Sequence, residues 1–349
     1  MKIAIVTLPL ISNFGGILQN YALQVALKGL GHDPITIDYD VSPGRFKYAL
    51  RCIKSFLLEW NKYKKPNRFL RNHQVVPFIS KHMNMTPRIK TYKAPELRNY
   101  DAYIVGSDQV WRYRYSKPVI RDVYLRFTNS LKCKRISYAA SFGVSSLDYP
   151  NSVKKECKRL LQGFDAVSVR EESGVKICFD EFEKDATLVV DPTLLNERRV
   201  YEQLCEEIQK RDKILVSYVL DMTPEKEELI NNTAFKLGLT PVFLTEKREG
   251  GVTIEEWLSY FRDADFVFTD SFHGTVFSII FEKDFISFNN PGRGSDRFTT
   301  LLSLFKLEGR ILNIFNSIVD VEEIDWPFVR ARKKELAEDG LQFLRTYLK

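Results

Sequence analysis

The stretch KIAIVTLPLISNFGGILQNYALQVALKGLGHDPITIDY, residues 2–39, decides the fold of this chain. A short apolar run rich in β-branched residues predicts a buried strand over 2–8, and Gly15 and Gly16 form a flexible turn. The apolar positions that follow have helical spacing, and 34–39 predicts a second strand. Strand, helix and strand in this order make a βαβ unit, which predicts a parallel sheet.

The same alternation continues along the chain in two series. Further strands are predicted at 101–105, 135–140, 165–169, 213–220, 240–244, 264–269 and 284–288, and helices at 152–162, 171–178, 224–237, 254–262, 274–282 and 330–348. We therefore predict an α/β protein with two Rossmann-like domains that face a cleft. Residues 1–200 form the first domain, with a basic insertion at 45–99; residues 201–325 form the second, and 326–349 a C-terminal helix. Ligands are expected at the carboxyl ends of the strands.

The positive charge of the chain is concentrated in one region. The formal net charge is +7, but the stretch between Arg45 and Asn99 holds fourteen Lys or Arg and two acids, which gives it +12 and leaves −5 elsewhere. Aromatic residues such as Phe56 and Trp60 alternate with these cations. Such a stretch suits an anionic lipid surface, a diphosphate-linked substrate or nucleic acid. The alternative is a solvated face over a partly buried helix.

Cysteine and apolar content exclude several classes of protein. Five scattered cysteines without a CxxC pair predict neither a disulfide framework nor a zinc site, which fits a reducing cytoplasm. No run reaches the 18 or so apolar residues that span a bilayer. The opening apolar run leads into a glycine turn without a small-residue cleavage site, so we interpret it as a strand and not as a signal peptide.

The strongest local feature is ADFVFTDSFHGTVFSIIF, residues 264–281. It predicts a buried strand that ends near Ser271 and a helix that starts at His273, followed by Gly274 and Thr275. An imidazole and a hydroxyl would then lie at the mouth of a cleft, beside a helix N-terminus that favours anions. A histidine side chain suits general acid–base chemistry because its ordinary pKa lies near neutral pH. The alternative is a histidine that only caps the helix.

Arginines form a second group of candidates. Arg170 directly follows a predicted strand, and Arg293 and Arg297 lie in the turn-rich loop NNPGRGSDRF, residues 289–298. The planar guanidinium matches a carboxylate or a phosphate. For Arg170 the alternative is a surface ion pair with one of the two glutamates that follow it, and for the loop it is an ordinary surface turn.

Two further strand ends carry small and polar residues: Asn13, Gly15, Gly16 and Gln19 after the first strand, and Ser107 and Asp108 after the third. The first group lacks the GxGxxG pattern and the following acid of a dinucleotide site. Asp108 could act as a base or only cap its turn.

Seven stretches in this order resemble the polysaccharide pyruvyl transferase family. They are NFGGILQNYAL from residue 13, DAYIVGSDQVW at 101–111, ISYAASFG at 136–143, AVSVREESG at 166–174, VVDPTLL at 189–195, ILVSY at 214–218 and TDSFHG at 269–274. Members are similar in fold to the two-domain GT-B glycosyltransferases. Typically they move the pyruvyl group of phosphoenolpyruvate onto two hydroxyls of one sugar, which makes a cyclic ketal. The resemblance therefore implies a GT-B-like fold and this transfer reaction.

The resemblance also implies roles for the candidate residues. His273, as general acid, and Asp108 would be catalytic. The predicted substrate-binding residues are Arg170 for the donor anion; Ser271, Gly274 and Thr275 at the helix start for phosphate; Arg293 and Arg297; and Asn13, Gly15, Gly16, Gln19 and Ser107 across the cleft. No metal or organic cofactor is implied.

The implied partners are phosphoenolpyruvate and a saccharide acceptor, with a lipid-linked saccharide as one option. The basic stretch would let a cytoplasmic enzyme contact the anionic inner surface of the membrane, and no nucleic-acid partner is expected. The alternative function is that of a GT-B-type glycosyltransferase that uses a nucleotide sugar in the same cleft.

One residue departs from the family pattern. Many members carry an arginine two residues before the histidine, where this chain has Ser271. Arg293 or Arg297 from the following loop is the expected substitute. A charged hydrogen bond contributes about 1.5–3 kcal/mol, so an uncompensated loss would weaken donor binding roughly ten- to a hundredfold.

Overall fold

The computed structural model describes residues 1–40, 73–244, 251–290, 294–312 and 322–349. In the first half of the chain, four strands are β1 Lys2–Val6, β2 Asp33–Thr36, β3 Ala102–Gly106 and β4 Lys134–Tyr138. They form a parallel sheet in the order β2-β1-β3-β4. Two short strands, β5 Ser168–Val169 and β6 Thr187–Leu188, pair in parallel, and a bridge between Ala140 and Val169 places β5 beside β4.

The second half of the chain repeats this architecture. Its strands are β7 Ile214–Tyr218, β8 Thr240–Phe243, β9 Phe266–Thr269, β10 Asp284–Phe288 and β11 Ile311–Leu312, all parallel, in the order β11-β10-β9-β7-β8. The central strands β7 and β9 are almost wholly buried because helices cover both faces of the sheet.

Helices alternate with these strands. Those of the first half are α1 Phe14–Gly29, α2 Val76–His82, α3 Tyr113–Ser116, α4 Asn151–Gln162 and α5 Glu172–Phe182. Those that follow are α6 Arg198–Leu204, α7 Pro224–Leu237, α8 Ile254–Asp263, α9 Phe272–Ile280, α10 Asp296–Leu304 and α11 Trp326–Tyr347. Local sequence sets some of their ends: Thr253 and Glu256 form a capping box at the start of α8, and Gly238 in the left-handed conformation ends α7.

The two halves pack against each other through α1. Eleven of the sixteen residues of α1 are buried, because the helix lies between the first sheet and the second half of the chain. Phe14 makes an edge contact with Trp257 of α8, at 6.4 Å between ring centroids. Within the first half, Asn196 donates to the carbonyl of Ala22 at 3.0 Å and holds α1 against the segment before α6. This seam between the two halves carries the candidate site.

The C-terminal helix α11 returns to the first half of the chain. Phe343 contacts the Tyr138 ring at the end of β4, and Lys333 donates to the carbonyl of Asn196 at 2.8 Å. The helix therefore fastens the end of the chain to the first sheet after the second half is complete.

The predicted fold class is confirmed, since both sheets are parallel and helices alternate with their strands. Some predicted elements differ at their ends: β1 stops at Val6, α5 continues to Phe182, and α9 begins at Phe272. The structure also contains α2, α3, α6, α10 and β11, which were not predicted, and α10 overlaps the predicted turn-rich loop 289–298. The domain boundaries stay a prediction, and residues 45–72 of the basic stretch lie outside the described residues. Within the described ranges, no helix combines the length and apolar character that crossing a bilayer requires.

Gly340 tests how closely α11 packs on the first half. A Cβ at this position would clash with the Tyr138 hydroxyl and lie 2.8 Å from Cδ2 of Leu195. We expect Gly340→Ala to lower the free energy of unfolding by about 1–3 kcal/mol through overpacking. Gly29→Ala, with no neighbour within 4 Å of its added Cβ, is the control and should gain up to about 1 kcal/mol from helix propensity. Urea unfolding measures both, and a gain in both variants would contradict the close packing.

Candidate active site

The candidate site lies at the carboxyl edge of the first sheet, where the strand order reverses between β1 and β3. In open α/β sheets this reversal opens a crevice for ligands. Ser107 and Asp108 follow β3, Arg170 follows β5 and Asp191 follows β6. His273 comes from the second half, at the second position of α9. Residues from four separate elements thus meet at the seam.

A buried ion-pair network around Arg170 organises the site. Its Nη1 donates to Oδ2 of Asp191 at 2.6 Å, and its Nη2 donates to Oδ1 of Asp108 at 3.2 Å. The Arg170 side chain is 1% exposed. Burial alone would lower the pKa of Arg170, but Asp191, Asp108 and Glu171 raise that pKa above its usual value. The guanidinium therefore stays charged and holds the two carboxylates in place.

Asp191 links this network to the histidine. Its Oδ2 accepts from Oγ of Ser107 at 3.0 Å, and its Oδ1 accepts from the backbone N and Oγ1 of Thr193 at 3.1 and 2.7 Å. Nε2 of His273 lies 3.7 Å from Oδ2 of Asp191. Burial alone would raise the pKa of Asp191, but His273 and Arg170 lower it well below its usual range. The carboxylate is therefore ionised, and it faces the edge of the imidazole that carries Nε2.

His273 is enclosed between the two halves. The residue is 6% exposed, and a Cβ added to Gly15 of α1 would clash with its Nδ1. The missing side chain of Gly15 is thus what allows the imidazole to reach the N-terminal turn of α1. We expected this ring at the open mouth of a cleft; the described residues instead close over it.

The loop after β1 supports the same network. Oε1 of Gln19 accepts from the backbone N of Ser107 at 3.0 Å, and its Nε2 donates to the carbonyl of Gly16 at 2.7 Å. Asn13 donates from Nδ2 to Oδ2 of Asp108 at 3.4 Å. The predicted residues of this loop therefore lie beside Ser107 and Asp108. Gln19 is fully buried and braces the loop, whereas Asn13 is exposed.

The start of α9 only partly matches its predicted role. Oγ of Ser271 accepts from the backbone N of Gly274, so Ser271 caps the helix. A Cβ on Gly274 would clash with Thr269, which makes this glycine a packing residue. The Thr275 hydroxyl is fully buried and bonds to that of Ser287 at 2.7 Å. Thr275 therefore points into the core of the second half and is not brought to the site.

Arg297 and Phe272 complete the seam. The guanidinium carbons of Arg170 and Arg297 lie 4.7 and 5.2 Å from the centre of the Phe272 ring. Burial and the neighbouring Arg170 lower the pKa of Arg297 to about 10, so it remains a cation at neutral pH. Burial raises the pKa of Glu171 nearby, although Arg170 and Arg297 oppose that shift. Arg293 lies outside the described residues.

Two interpretations of individual residues change with the structure. Arg170 was expected to face a donor anion or a glutamate at the surface, but Asp108 and Asp191 occupy its guanidinium. Asp191 was not among the predicted site residues, but the structure places it between Arg170 and His273. Its position before Pro192 in the stretch VVDPTLL, within a βα series, was the available signal. Its contact with His273 depends on the packing of the two halves, which local spacing does not reveal.

Comparisons with known proteins agree with this architecture. A family model described as polysaccharide pyruvyl transferase matches residues 13–292, which is most of the chain. The structure of UDP-GlcNAc 2-epimerase from Methanocaldococcus jannaschii aligns with a TM-score of 0.53 at 12% identity, covering 99% of this chain and 99% of that one. The structure of UGT89C1 from Arabidopsis thaliana complexed with UDP-L-rhamnose aligns at 0.47 and 8% identity, covering 99% and 93%. No curated protein matches the sequence. At such identities the epimerase likeness speaks for the fold alone, which is GT-B-like.

Asp191→Asn tests the buried network. Loss of the carboxylate leaves the charge of Arg170 less compensated. We therefore expect the free energy of unfolding at neutral pH to fall by about 3–5 kcal/mol. Folding lowers the pKa of Asp191. Its contribution to the stability of the fold is therefore present above the pKa of an aspartate in the unfolded chain, about 3.9, and is lost as the pH falls below that value. The difference between wild type and variant should therefore narrow below about pH 4.

Urea unfolding across a pH series measures this difference. Asp180→Asn removes an exposed carboxylate on α5 and is the control, with no expected change. A difference for Asp191→Asn that is small, or equal at all pH values, would refute the network.

Proposed function

The chain belongs to the polysaccharide pyruvyl transferase family, and from this premise we propose that it transfers the pyruvyl group of phosphoenolpyruvate onto two hydroxyls of one sugar in a surface polysaccharide precursor. The product is a cyclic ketal. One observation carries the proposal: His273 and Asp191, from opposite halves of the chain, lie 3.7 Å apart at the carboxyl edge of the sheets. A nearby carboxylate favours the charged form of an imidazole, which can then act as a general acid.

The reaction needs two proton movements. One sugar hydroxyl attacks carbon 2 of phosphoenolpyruvate while carbon 3 accepts a proton and becomes a methyl group. The second hydroxyl then bonds to carbon 2 as phosphate leaves. Of the two hydroxyl protons, one balances the proton gained by carbon 3 and the other leaves with phosphate. In this proposal His273 gives the proton to carbon 3, and its neutral ring then accepts one from a sugar hydroxyl. Asp191 stabilises the charged imidazole and keeps Nε2 in position.

The donor carries carboxylate and phosphate charge, for which the proposal assigns Arg297. Ser271 stands where many members have an arginine, and Arg297 reaches the neighbouring Phe272 from α10. Arg170 and Arg297 both border that ring, and their mutual repulsion contributes to the lowered pKa of Arg297. Asp108 and Asp191 pair with Arg170, and Asp108 and Glu171 also act on Arg297, so a donor anion at Arg297 would add to this compensation. Arg170 then acts through the carboxylates that it holds.

Closure of the seam has a place in this chemistry. The described residues bury His273, so substrates would enter when the two halves separate and react when they close. Closure excludes water and strengthens the charge interactions around the donor. Asp108, Asn13 and Ser107 are proposed to face the acceptor from the first half, where the hydroxyls must be oriented.

The proposal extends to the acceptor and to the place of the reaction in the cell. We propose a saccharide acceptor, with a lipid-linked saccharide at the cytoplasmic face of the membrane as one option. Contact with that anionic surface through the basic stretch 45–99 stays a prediction, because more than half of that stretch lies outside the described residues.

The main experiment measures phosphate release from phosphoenolpyruvate with and without a panel of saccharides. We expect release only when a suitable saccharide is present, with pyruvylated sugar detected by mass spectrometry. His273→Ala should reduce the rate by about 10²–10⁴-fold, the usual range for a general acid. The control is His73→Ala, an exposed histidine on the first half.

Circular dichroism and thermal melting establish that both variants are folded. An unchanged rate in His273→Ala would remove the histidine from the mechanism. Stabilisation of the protein by nucleotide sugars and not by phosphoenolpyruvate would overturn the proposed donor.

Gly15→Ala tests the approach of His273 to α1. The added Cβ must displace the imidazole, so we expect turnover to fall at least about tenfold while helix propensity keeps α1 folded. Gly29→Ala, in the same helix with open space around its Cβ, is the control and should leave turnover unchanged. Steady-state kinetics on both variants measures this, and equal rates would show that closure onto Gly15 is not part of the reaction.

A further inference from the structure

A cavity opens at the same edge of the first sheet, beside the candidate active site. Its volume is about 340 Å³, and its walls include Thr7, Tyr39, Asp40, Lys90, Tyr92 and Tyr115. Thr7 follows β1, Tyr39 and Asp40 follow β2, and Tyr115 follows β3, so the cavity lies at the carboxyl ends of these strands. We call it the tyrosine pocket. Its volume lies within the roughly 300–1,000 Å³ that small-molecule sites occupy.

The aromatic wall of the tyrosine pocket is anchored in the core. Phe127 stacks on Tyr92 at 5.1 Å between centroids, and Tyr92 stacks on Tyr39 at 4.8 Å and 15°. Among the described rings, Tyr39 is the last of this stack. Its backbone pairs with Ile89 in a parallel bridge, which fixes the ring from the main chain as well. The pocket therefore presents a rigid aromatic side chain that is only partly buried.

The remaining walls combine apolar and hydrogen-bonding groups. Leu8, Pro9 and Pro118 supply apolar surface, and Thr7 and Lys90 supply a hydroxyl and an ammonium group. The Asp40 carboxylate also lines the pocket and already accepts from Nη2 of Arg88 at 3.0 Å. A pyranose ring has the matching chemistry, since its C–H face packs on an aromatic ring and its hydroxyls both donate and accept. A free phosphate or a diphosphate fits less well, because Asp40 lines the pocket together with Lys90.

Hydrogen bonds connect the tyrosine pocket to the candidate active site. Nε2 of Gln19 donates to Oγ1 of Thr7 at 3.3 Å, and Oε1 of Gln19 accepts from the backbone of Ser107. Ser107 in turn donates to Asp191, which faces His273. A saccharide in the pocket would thus extend along the loop after β1 toward Asn13 and Asp108.

We propose that the tyrosine pocket is the subsite that holds a pyranose ring of the saccharide acceptor, with Tyr39 as its stacking platform. That the bound saccharide is the acceptor rests on the proposed transferase function. The binding of a pyranose to this pocket does not depend on that function. It follows that Tyr39 and Lys90 determine which saccharides bind, while the groups around His273 carry out the chemistry.

Binding is measured by saturation-transfer NMR on the full chain without phosphoenolpyruvate. The probes are the methyl β-pyranosides of glucose, galactose, mannose and N-acetylglucosamine, with uridine diphosphate as a competing class. We expect at least one pyranoside to receive saturation on its ring C–H protons. Tyr39→Ala should remove that signal, and Tyr39→Phe, which keeps the ring, should retain most of it. Phe235→Ala, which removes a 90% exposed ring on α7, is the control and should behave as wild type.

Lys90→Ala provides a second variant that does not depend on the core, since Lys90 is exposed. We expect it to weaken binding about tenfold or more, through loss of a charged hydrogen bond to the sugar. The absence of signal from every pyranoside, a signal that Tyr39→Ala leaves intact, or Tyr39-dependent binding of uridine diphosphate alone would each overturn the subsite.

Kinetics separate this proposal from the transferase function. With an accepted saccharide, Tyr39→Ala should raise the KM for the saccharide about tenfold or more and leave the KM for phosphoenolpyruvate unchanged. Tyr39-dependent sugar binding without any pyruvyl transfer would overturn the function and leave the subsite. Transfer with an unchanged saccharide KM in Tyr39→Ala would overturn the subsite and leave the function.

Discussion

The ion-pair network of Arg170 with Asp108 and Asp191 is the interaction on which the site depends. A guanidinium that is 1% exposed needs compensation by carboxylates, and here they come from the ends of two other strands. The three strand ends are therefore fixed relative to one another. Oδ2 of Asp191 also lies 3.7 Å from Nε2 of His273, which belongs to the second half of the chain. The ion pairs within the first half thus fix the position of the carboxylate that His273 of the second half contacts.

Closure of the seam follows from small residues as much as from charged ones. Gly15 lets the imidazole approach α1. A Cβ on Gly294 would lie 2.7 Å from the carbonyl oxygen of Gly143, so this glycine lets the segment before α10 pack closely against Gly143. Arg297 and Arg170 both border Phe272 at this point. In the proposed reaction, a donor anion would reduce the repulsion between these two cations, which Asp108 and Glu171 also oppose. This gives a physical reason why donor binding and closure would be coupled.

In the proposed reaction, the seam around His273 and the tyrosine pocket would have different tasks. The proposed chemistry would take place at the seam, where His273 is buried. The proposed acceptor subsite, the tyrosine pocket, lies on the other side of the loop after β1. Gln19 braces both, since its amide contacts Thr7 on one side and Ser107 on the other. Such a division would let acceptor specificity change without altering the catalytic groups.

The sequence by itself determined the alternation of strands and helices and the position of His273 after β9, because periodicity and glycine turns are local properties. It also brought out Asn13, Gly15, Gly16, Ser107 and Asp108 as strand-end residues, since parallel strands end at a common edge. Only the tertiary structure decided that Asp191 faces His273, that Thr275 turns into the core and that the seam buries the imidazole. The physical reason is that a buried charge selects partners by proximity in space, and that proximity results from the packing of whole elements.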